Sequence, residues 1–168
     1  HLIKISESKE EKLFLLEKYL NNITTTVYRQ VMFAEFESLT HSKAENGEAL
    51  TPDVLCKLYK DVYQKYWGPE MKIDEEESYT WARVPHFYYN FYVYQYATGF
   101  AASEALALKV KSEGEPAVQK YLDFLKAGSS DYPINILDKA GVNMNSQEPI
   151  LAVTTKMNQI IDEIENLI

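Results

Sequence analysis

The stretch FYYNFYVYQYATGFAASEALALKVK, residues 87–111, decides whether the fold is helical or contains a sheet. Its first part, FYYNFYVYQY, is rich in aromatic residues and contains valine, and such residues favour strands. Its second part is rich in alanine, leucine and lysine, which favour helix, and no turn signal separates the two parts. We therefore predict one long helix from about Tyr89 to Ser112, closed by Gly114.

The sequence before this stretch also carries helix signals. Ser8 followed by Glu11 is typical of a capping box, and an apolar stripe then continues at helical spacing toward Gly47. The Asn and Thr residues at 21–26 have low helix propensity, so we expect them to bend or break this element. The predicted stripe consists of Leu13, Leu16, Leu20, Ile23, Val27, Val31, Ala34 and Leu39.

Start and stop signals divide the rest of the chain into further helices. Thr51–Pro52 combines an N-cap residue with a first-turn proline, and Gly68–Pro69 ends that helix. Because no repeat, low-complexity tract or linker interrupts the pattern, we predict an all-α, multi-helix bundle forming a single helical domain over residues 1–168. One further helix is predicted to begin at the acidic run 74–77. Three others are predicted to cover 115–128, 129–141 and 146–168.

The composition restricts the classes of function. The chain has 168 residues and a formal net charge of −8, which argues against a nucleic-acid partner because phosphates require a basic surface. No apolar run approaches the ~20 residues that a membrane-spanning helix needs, so we expect no membrane partner. Cys56 is the only cysteine. No internal disulfide can therefore form, and this fits a reducing compartment.

The sequence lacks the usual motifs of a self-contained catalytic site. His1, His41 and His86 are far apart, and there is no HExxH. Cys56 has no cysteine companion, so we interpret it as a small buried hydrophobe. The six glycines are scattered and form no phosphate-binding loop. We predict no metal site within this chain.

Tyrosines follow His86 in close succession. On a helix, Tyr89, Tyr92 and Tyr96 would share one face, and Gly99 further along it would leave room for a ligand. Phenols donate hydrogen bonds and their rings give rigid apolar contact, while the charge of a histidine changes near neutral pH. Such a row could hold a peptide backbone or stabilise the oxyanion that forms when a carbonyl is attacked. Spacing alone favours the alternative, an aromatic core seam whose hydroxyls reach water.

Four segments together resemble one known family. They occur in the expected order and cover nearly the whole chain. The chain is similar to the C-terminal part of oligoendopeptidase F, in the thimet-oligopeptidase-like family of zinc metallopeptidases. The segments are VYRQVMFAEFE (27–37), GEALTP (47–52), WARVPHFYYNFYVYQYATGF (81–100) and FLKAGSSDYPINILDKAGV (124–142).

The resemblance implies a zinc peptidase that cleaves short peptides. It implies that this chain is the C-terminal portion of the catalytic domain and lacks the HExxH helix, because the zinc ligands and the general-base glutamate lie N-terminal to the matched region. We therefore expect zinc in the full-length enzyme and none bound by this chain, which alone should be inactive. A start at His1, within the apolar stretch HLIKI, fits a chain that is part of a longer protein.

The same resemblance implies which side chains line the substrate cleft. A histidine and tyrosines of the corresponding segment bind the substrate backbone and stabilise the tetrahedral intermediate. Carried over to this chain, His86, Tyr92 and Tyr96 are the predicted catalytic and substrate-binding residues, and Tyr89 is a further substrate-binding residue.

A second polar set lies earlier in the chain. We interpret Arg29, Gln30 and Glu35 as a structural polar network without a catalytic role.

The expected partners follow from the resemblance as well. They are short peptide substrates, the N-terminal part of the same enzyme and, through an exposed cleft face, a second copy of the chain. The expected location is the cytoplasm. Two other hypotheses stay open: a stand-alone helical module that binds a peptide or small ligand without catalysis, and a purely structural helical domain.

Overall fold

The computed structural model describes residues 2–168, so expectations that involve His1 fall outside the described residues. This range consists of helices and connecting turns without a strand, which confirms the predicted all-α fold. No helix within it is both long and apolar enough to cross a membrane. The α-helices are α1 (Leu2–Ile5), α2 (Lys9–Ile23), α3 (Arg29–Glu45), α4 (Pro52–Trp67), α5 (Tyr94–Glu113), α6 (Glu115–Ala127), α7 (Pro133–Lys139) and α8 (Glu148–Glu165); 3-10 helices cover Glu75–Arg83 and Pro85–Tyr89, and a π-helical segment covers Thr24–Tyr28.

The predicted helix starts at Ser8 and Thr51 are confirmed by their caps. The Ser8 hydroxyl accepts the Glu11 backbone N–H at 3.1 Å, and the Thr51 hydroxyl accepts the Val54 N–H at 3.4 Å. Each bond satisfies an amide that the first turn of a helix leaves free. The Glu11 carboxylate accepts the Ser6 hydroxyl at 2.9 Å.

The chain divides into two compact units. The central unit is Thr25–Ala97, and the terminal unit combines the residues up to Thr24 with Thr98–Ile168. The single helical domain over residues 1–168 stays a prediction.

A π-helical segment overlaps residues 21–26, where the sequence predicts a bend or break. Thr24–Tyr28 adopts this conformation between α2 and α3, and the Thr24 hydroxyl donates to the Leu20 carbonyl at 3.0 Å. A π turn holds more residues than an α turn, so it shifts the register of every residue after it. Beyond this point the predicted stripe is therefore correct for Ala34, which packs against the buried core, and wrong for Val31 and Leu39. Val31 and Leu39 are exposed, and the buried residues of α3 are Met32, Phe33, Phe36 and Glu37.

An aromatic core holds the central unit together. Helix α3 packs against α4, which also contacts the 3-10 helix Glu75–Arg83. Phe36 meets Tyr59 edge to face, with ring centroids 5.4 Å apart, and Phe87 lies against Phe33 and Phe36 at 5.4 and 5.2 Å. Val93 is fully buried in the same core. Burial of one such side chain stabilises a fold by about 1.5–3 kcal/mol.

The terminal unit has an aliphatic core. Helix α2 packs against α8, and Tyr19 on α2 donates a hydrogen bond to the Glu104 carboxylate on α5. A second apolar cluster joins α5 to the residues that follow α7. The buried side chains of α2 and α8 are Leu16, Ile23, Val153 and Ile160. Those of the second cluster are Ala105, Leu106, Ala140 and Val142.

The long helix predicted from Tyr89 begins instead at Tyr94. Pro85 opens a 3-10 helix that ends at Tyr89, and Asn90 and Phe91 then adopt left-handed backbone with φ of 45° and 56°. An α-helix cannot pass through such residues. The predicted end is confirmed, because α5 stops at Glu113 and Gly114 has a φ of 69°.

Candidate functional site

The candidate site lies on irregular backbone in the central unit. It occupies the 3-10 helix Pro85–Tyr89, the left-handed pair Asn90–Phe91 and the residues up to Tyr96. Proline at the first position suits a helix start because its missing N–H is not needed there. The side chains of Phe87 and Val93 anchor this stretch in the aromatic core.

His86, Tyr92 and Tyr96 form a ring cluster. The His86 and Tyr92 rings are stacked, with centroids 5.8 Å apart and planes at 8°. Tyr96 meets both edge to face, at 5.8 Å from His86 and 5.5 Å from Tyr92. Its hydroxyl oxygen lies 3.4 Å from His86 Nε2, within hydrogen-bond distance. Edge-to-face and stacked contacts are the geometries that aromatic rings prefer.

Tyr89 completes the ring cluster, which we define as His86, Tyr89, Tyr92 and Tyr96. Its ring makes edge-to-face contacts with His86 at 6.3 Å and with Tyr92 at 5.9 Å. The structure thus brings together all of the predicted site residues. It does so through the turn at 90–91 and not, as predicted, on one helix face.

The ring cluster lies at the surface. The side chains of Tyr92 and Tyr96 are each 37% exposed and that of Tyr89 is 63% exposed. These rings can therefore contact a bound molecule. Tyr88 belongs to the same 3-10 helix but points into solvent, at 80% exposure.

Hydrogen bonding changes the acidity of one phenol. The pKa of Tyr96 is raised above its ordinary value. The causes, from the largest to the smallest, are the hydrogen bond with Tyr92, partial desolvation and the electrostatic effect of the Tyr92 phenol. The Tyr96 hydroxyl therefore keeps its proton throughout the neutral range and can act as a hydrogen-bond donor.

The left-handed pair is held by α3, a feature that the sequence pattern did not reveal. The Glu37 side chain is buried, with 3% exposure, and its carboxylate accepts the Phe91 backbone N–H at 2.7 Å. The His41 ring lies against the Phe91 ring, with centroids 4.3 Å apart. A non-glycine residue in this backbone region costs on the order of 1–3 kcal/mol. An acid among the aromatic residues of VYRQVMFAEFE was the available signal.

Glu35, two residues earlier on α3, belongs to a different contact. Its carboxylate accepts bonds from Lys65 Nζ at 2.7 Å and from the Tyr66 hydroxyl at 2.8 Å. The bond from Lys65 is the main reason why the pKa of Glu35 is lowered. Gln30 donates instead to the Thr25 carbonyl at 3.4 Å. Glu35 thus links α3 to α4, as expected of a structural residue.

The described residues do not fit a zinc site. Within 2–168, no three His, Cys, Asp or Glu side chains converge closely enough to hold a metal ion. Cys56 is half-buried, and its sulfur accepts the Trp81 indole N–H at 3.3 Å. A zinc site in the complete protein thus stays a prediction.

A concave surface lies in the terminal unit. This groove has a volume of about 940 Å³ and lies between α5, α6 and α7. Gly99, which was expected to leave room for a ligand, lines it together with Ser103. A side-chain carbon added at Gly99 would meet open space. Most of the other lining residues are apolar, among them Ala102, Leu106, Phe124, Leu125, Ile136 and Leu137.

Comparison with known proteins identifies the class. The sequence profile of Peptidase family M3 matches residues 1–155, and the chain belongs to this family. Among curated relatives, Oligopeptidase PepF of Bacillus subtilis is 51% identical over 168 residues, which are 100% of this chain and 25% of that protein. The plasmid-encoded oligoendopeptidase F of Lactococcus lactis subsp. cremoris is 45% identical over 99% of this chain and 28% of its own length.

The fold agrees with the same relationship. The crystal structure of oligoendopeptidase-F from Enterococcus faecium superposes with a TM-score of 0.94 at 40% identity, covering 99% of this chain and 32% of that one. The resemblance to oligoendopeptidase F is therefore confirmed. The chain spans about a quarter of the length of the curated relatives described above.

Proposed function

We propose that this chain is the C-terminal part of a zinc-dependent oligoendopeptidase that hydrolyses short peptides, and that it supplies groups which bind the substrate and stabilise the transition state. The relatives that match it over its whole length are named oligopeptidase and oligoendopeptidase. The single observation that carries the site assignment is the contact between His86, Tyr92 and Tyr96 at the surface.

His86 and Tyr96 have the chemistry of an oxyanion-stabilising pair. Attack on a peptide carbonyl places negative charge on its oxygen, and hydrogen-bond donors aimed at that oxygen lower the barrier. The Tyr96 hydroxyl is a donor at neutral pH, and the imidazole of His86 lies within 3.4 Å of it. Both donors can therefore reach one reacting oxygen.

Tyr92 and Tyr89 are suited to hold the substrate. Their rings pack on His86 or on each other and keep exposed faces. Rigid aromatic faces give contact area at a low conformational-entropy cost, and their hydroxyls can bond to peptide backbone groups.

Zinc, when bound, would supply Lewis-acid chemistry to the complete enzyme. Because the described residues form no ligand set, we propose that its ligands lie in the part of the relatives that this chain does not cover. Metal analysis by mass spectrometry should find about one zinc per complete protein and only trace zinc in this chain alone, which should also hydrolyse no peptide. Stoichiometric zinc bound to the isolated chain would contradict this assignment.

The decisive experiment is His86→Ala in the complete natural protein. Loss of one oxyanion donor should lower kcat by about 10²–10³-fold, with unfolding temperature and zinc content unchanged. Tyr88→Ala is the matched control, because Tyr88 is an exposed aromatic of the same 3-10 helix outside the ring cluster. Unchanged turnover in His86→Ala rejects the proposed role.

A second candidate is a helical module that binds a peptide or small ligand without catalysis. The apolar groove between α5, α6 and α7 favours it, because ligand sites are commonly concave, mostly apolar and of this volume. Tight binding of a short apolar peptide by the isolated chain, without cleavage in the complete protein, would support this candidate over the peptidase.

Two further proposals concern assembly and location. The exposed face that carries the ring cluster is the surface through which two copies of the chain could associate. Sedimentation of the isolated chain should detect a dimer, and a clean monomer at high concentration would reject it. The proposed cytoplasmic location can be tested by cell fractionation.

A further inference from the structure

A buried acid and a histidine on α3 both contact the strained residue of the candidate site. Glu37 accepts the Phe91 N–H at 2.7 Å, and the His41 ring lies 4.3 Å from the Phe91 ring. The two residues are four positions apart, so they lie on one face of the helix. One turn of α3 thus contacts both the backbone and the side chain of Phe91.

Phe91 lies in the turn that sets the direction of the backbone between Phe87 and Val93. Phe87 and Val93 are fixed in the core on either side of it. Between these anchors the backbone passes through the left-handed pair Asn90–Phe91. A bulky residue persists in that conformation only when its surroundings determine it, and the described contacts to α3 provide that determination.

We propose that Glu37 and His41 are positioning residues for the ring cluster. By holding Phe91, they set the turn that brings Tyr92 and Tyr96 back against His86. They touch none of the reacting atoms and act through the backbone at 90–91. This proposal rests on the proposed function, since it assigns to α3 the task of pre-orienting the donors for the substrate carbonyl.

The chemistry of the contact explains why an acceptor is needed at Glu37. The Phe91 N–H cannot join an α-helical ladder, because the left-handed backbone interrupts it. The Glu37 carboxylate supplies the missing acceptor from 54 positions away in the sequence. A glutamine could still accept this bond through its amide oxygen, whereas an alanine could not.

The test compares Glu37→Ala, Glu37→Gln and Glu35→Ala in the complete protein. Glu35→Ala is the matched control, because it removes a hydrogen-bonded acid from the same helix but one that bonds to α4. One readout is kcat and KM for a short peptide. The other is the NMR signal of the His86 Cε1–H, assigned by its disappearance in His86→Ala. Ring stacking on Tyr92 shifts this signal, so it reports on the ring cluster without any activity.

Positioning predicts a distinct pattern across the three variants. Glu37→Ala should move the His86 signal toward that of a free imidazole and lower kcat by about 10²-fold, because misplacement of a catalytic group by about 1 Å has such a cost. Glu37→Gln should retain both the signal and most of the turnover. Glu35→Ala should leave the His86 signal in place.

The opposite results overturn the proposal. An unmoved His86 signal in Glu37→Ala rejects positioning by Glu37. If Glu37→Ala does not fold, Glu37→Gln decides: because its amide oxygen can still accept the Phe91 N–H, a displaced His86 signal in this folded variant rejects that hydrogen bond as the positioning contact. Unchanged turnover in His86→Ala would instead reject the proposed function, while the NMR signal would still show whether Glu37 places the ring.

The positioning role of His41 is tested by comparing a replacement that keeps a ring with one that removes it. His41→Phe retains a ring against Phe91 and should keep the His86 signal and kcat, whereas His41→Ala should displace the signal in the same direction as Glu37→Ala. Equal signals in both His41 variants and the unsubstituted protein reject a positioning role for His41.

Discussion

The ring cluster and the apolar groove are built in opposite ways. The groove lies between regular helices, α5, α6 and α7, and its lining is mostly aliphatic or aromatic. The ring cluster lies on a 3-10 helix and a left-handed turn, and its rings carry polar atoms. Regular helix packing produces an apolar surface, whereas the proposed hydrogen-bond donors lie on a backbone held in an uncommon conformation.

This comparison predicts different consequences of substitution on the two surfaces. Side chains of the groove should matter chiefly for stability, and hydroxyls of the ring cluster chiefly for turnover. Three experiments can break or sharpen that division.

Leu106→Ala should have the largest effect on stability. Leu106 is buried in the apolar cluster that joins α5 to the residues after α7, and it also lines the groove. Deleting such a side chain leaves a cavity and costs about 2–5 kcal/mol of unfolding free energy. Urea unfolding measures the loss, and peptide hydrolysis below the transition should be retained. A fall in kcat comparable to that of His86→Ala would contradict the division between the two surfaces.

Tyr96→Phe should have the next largest effect, and on turnover only. It removes the hydroxyl near His86 Nε2 and keeps the ring contacts. If this hydroxyl stabilises the oxyanion, kcat should fall by about 10²–10³-fold, while the unfolding temperature changes little. Tyr88→Phe, which removes the hydroxyl of an exposed neighbour, is the control and should turn over normally. Equal kcat values for the two variants would remove Tyr96 from the mechanism.

Asp131→Asn should have the smallest effect, a small loss of stability above pH 4 that disappears in acid. Bonds from Lys139, Asn135 and the Tyr132 N–H lower the pKa of Asp131 to about 2. Because this pKa is below the value of about 3.9 for an unfolded chain, the stabilisation is present above pH 4 and is lost as the pH falls toward 2. Thermal unfolding at pH 5, 4, 3 and 2 should show a shallower acid dependence in the variant.

The matched control for this experiment is Asp123→Asn. Asp123 forms a longer contact with Lys126, at 3.8 Å. It should leave the acid dependence unchanged. Parallel curves for Asp131→Asn and the unsubstituted protein would show that the carboxylate contributes nothing to this part of the terminal unit.

The regular parts of the fold could be predicted because their signals are local. The cap at Ser8, the start at Thr51–Pro52 and the stop at Gly114 each depend on neighbouring residues. The buried face of α3 could not be predicted, because the π-helical segment Thr24–Tyr28 shifts the register after it. Low helix propensity at 21–26 indicated a weak point but not its form.

The residues of the ring cluster were named from the sequence, but their geometry was not, and their functional role stays a prediction. His86, Tyr89, Tyr92 and Tyr96 were identified, and the structure brings their rings together. The route differs, because the left-handed turn depends on Glu37, which is distant in sequence. Aromatic residues with strand propensity marked a stretch where helix was not dictated locally.

Phe87, which is partly buried, and Val93, which is fully buried, anchor this loop in the aromatic core, while other side chains of the loop face outward. An outward-facing position such as Tyr89 can exchange its side chain without disturbing these attachment points. If these rings bind the substrate as proposed, ligand preference could diverge or be redesigned by changing the exposed rings alone, at a small cost in folding stability.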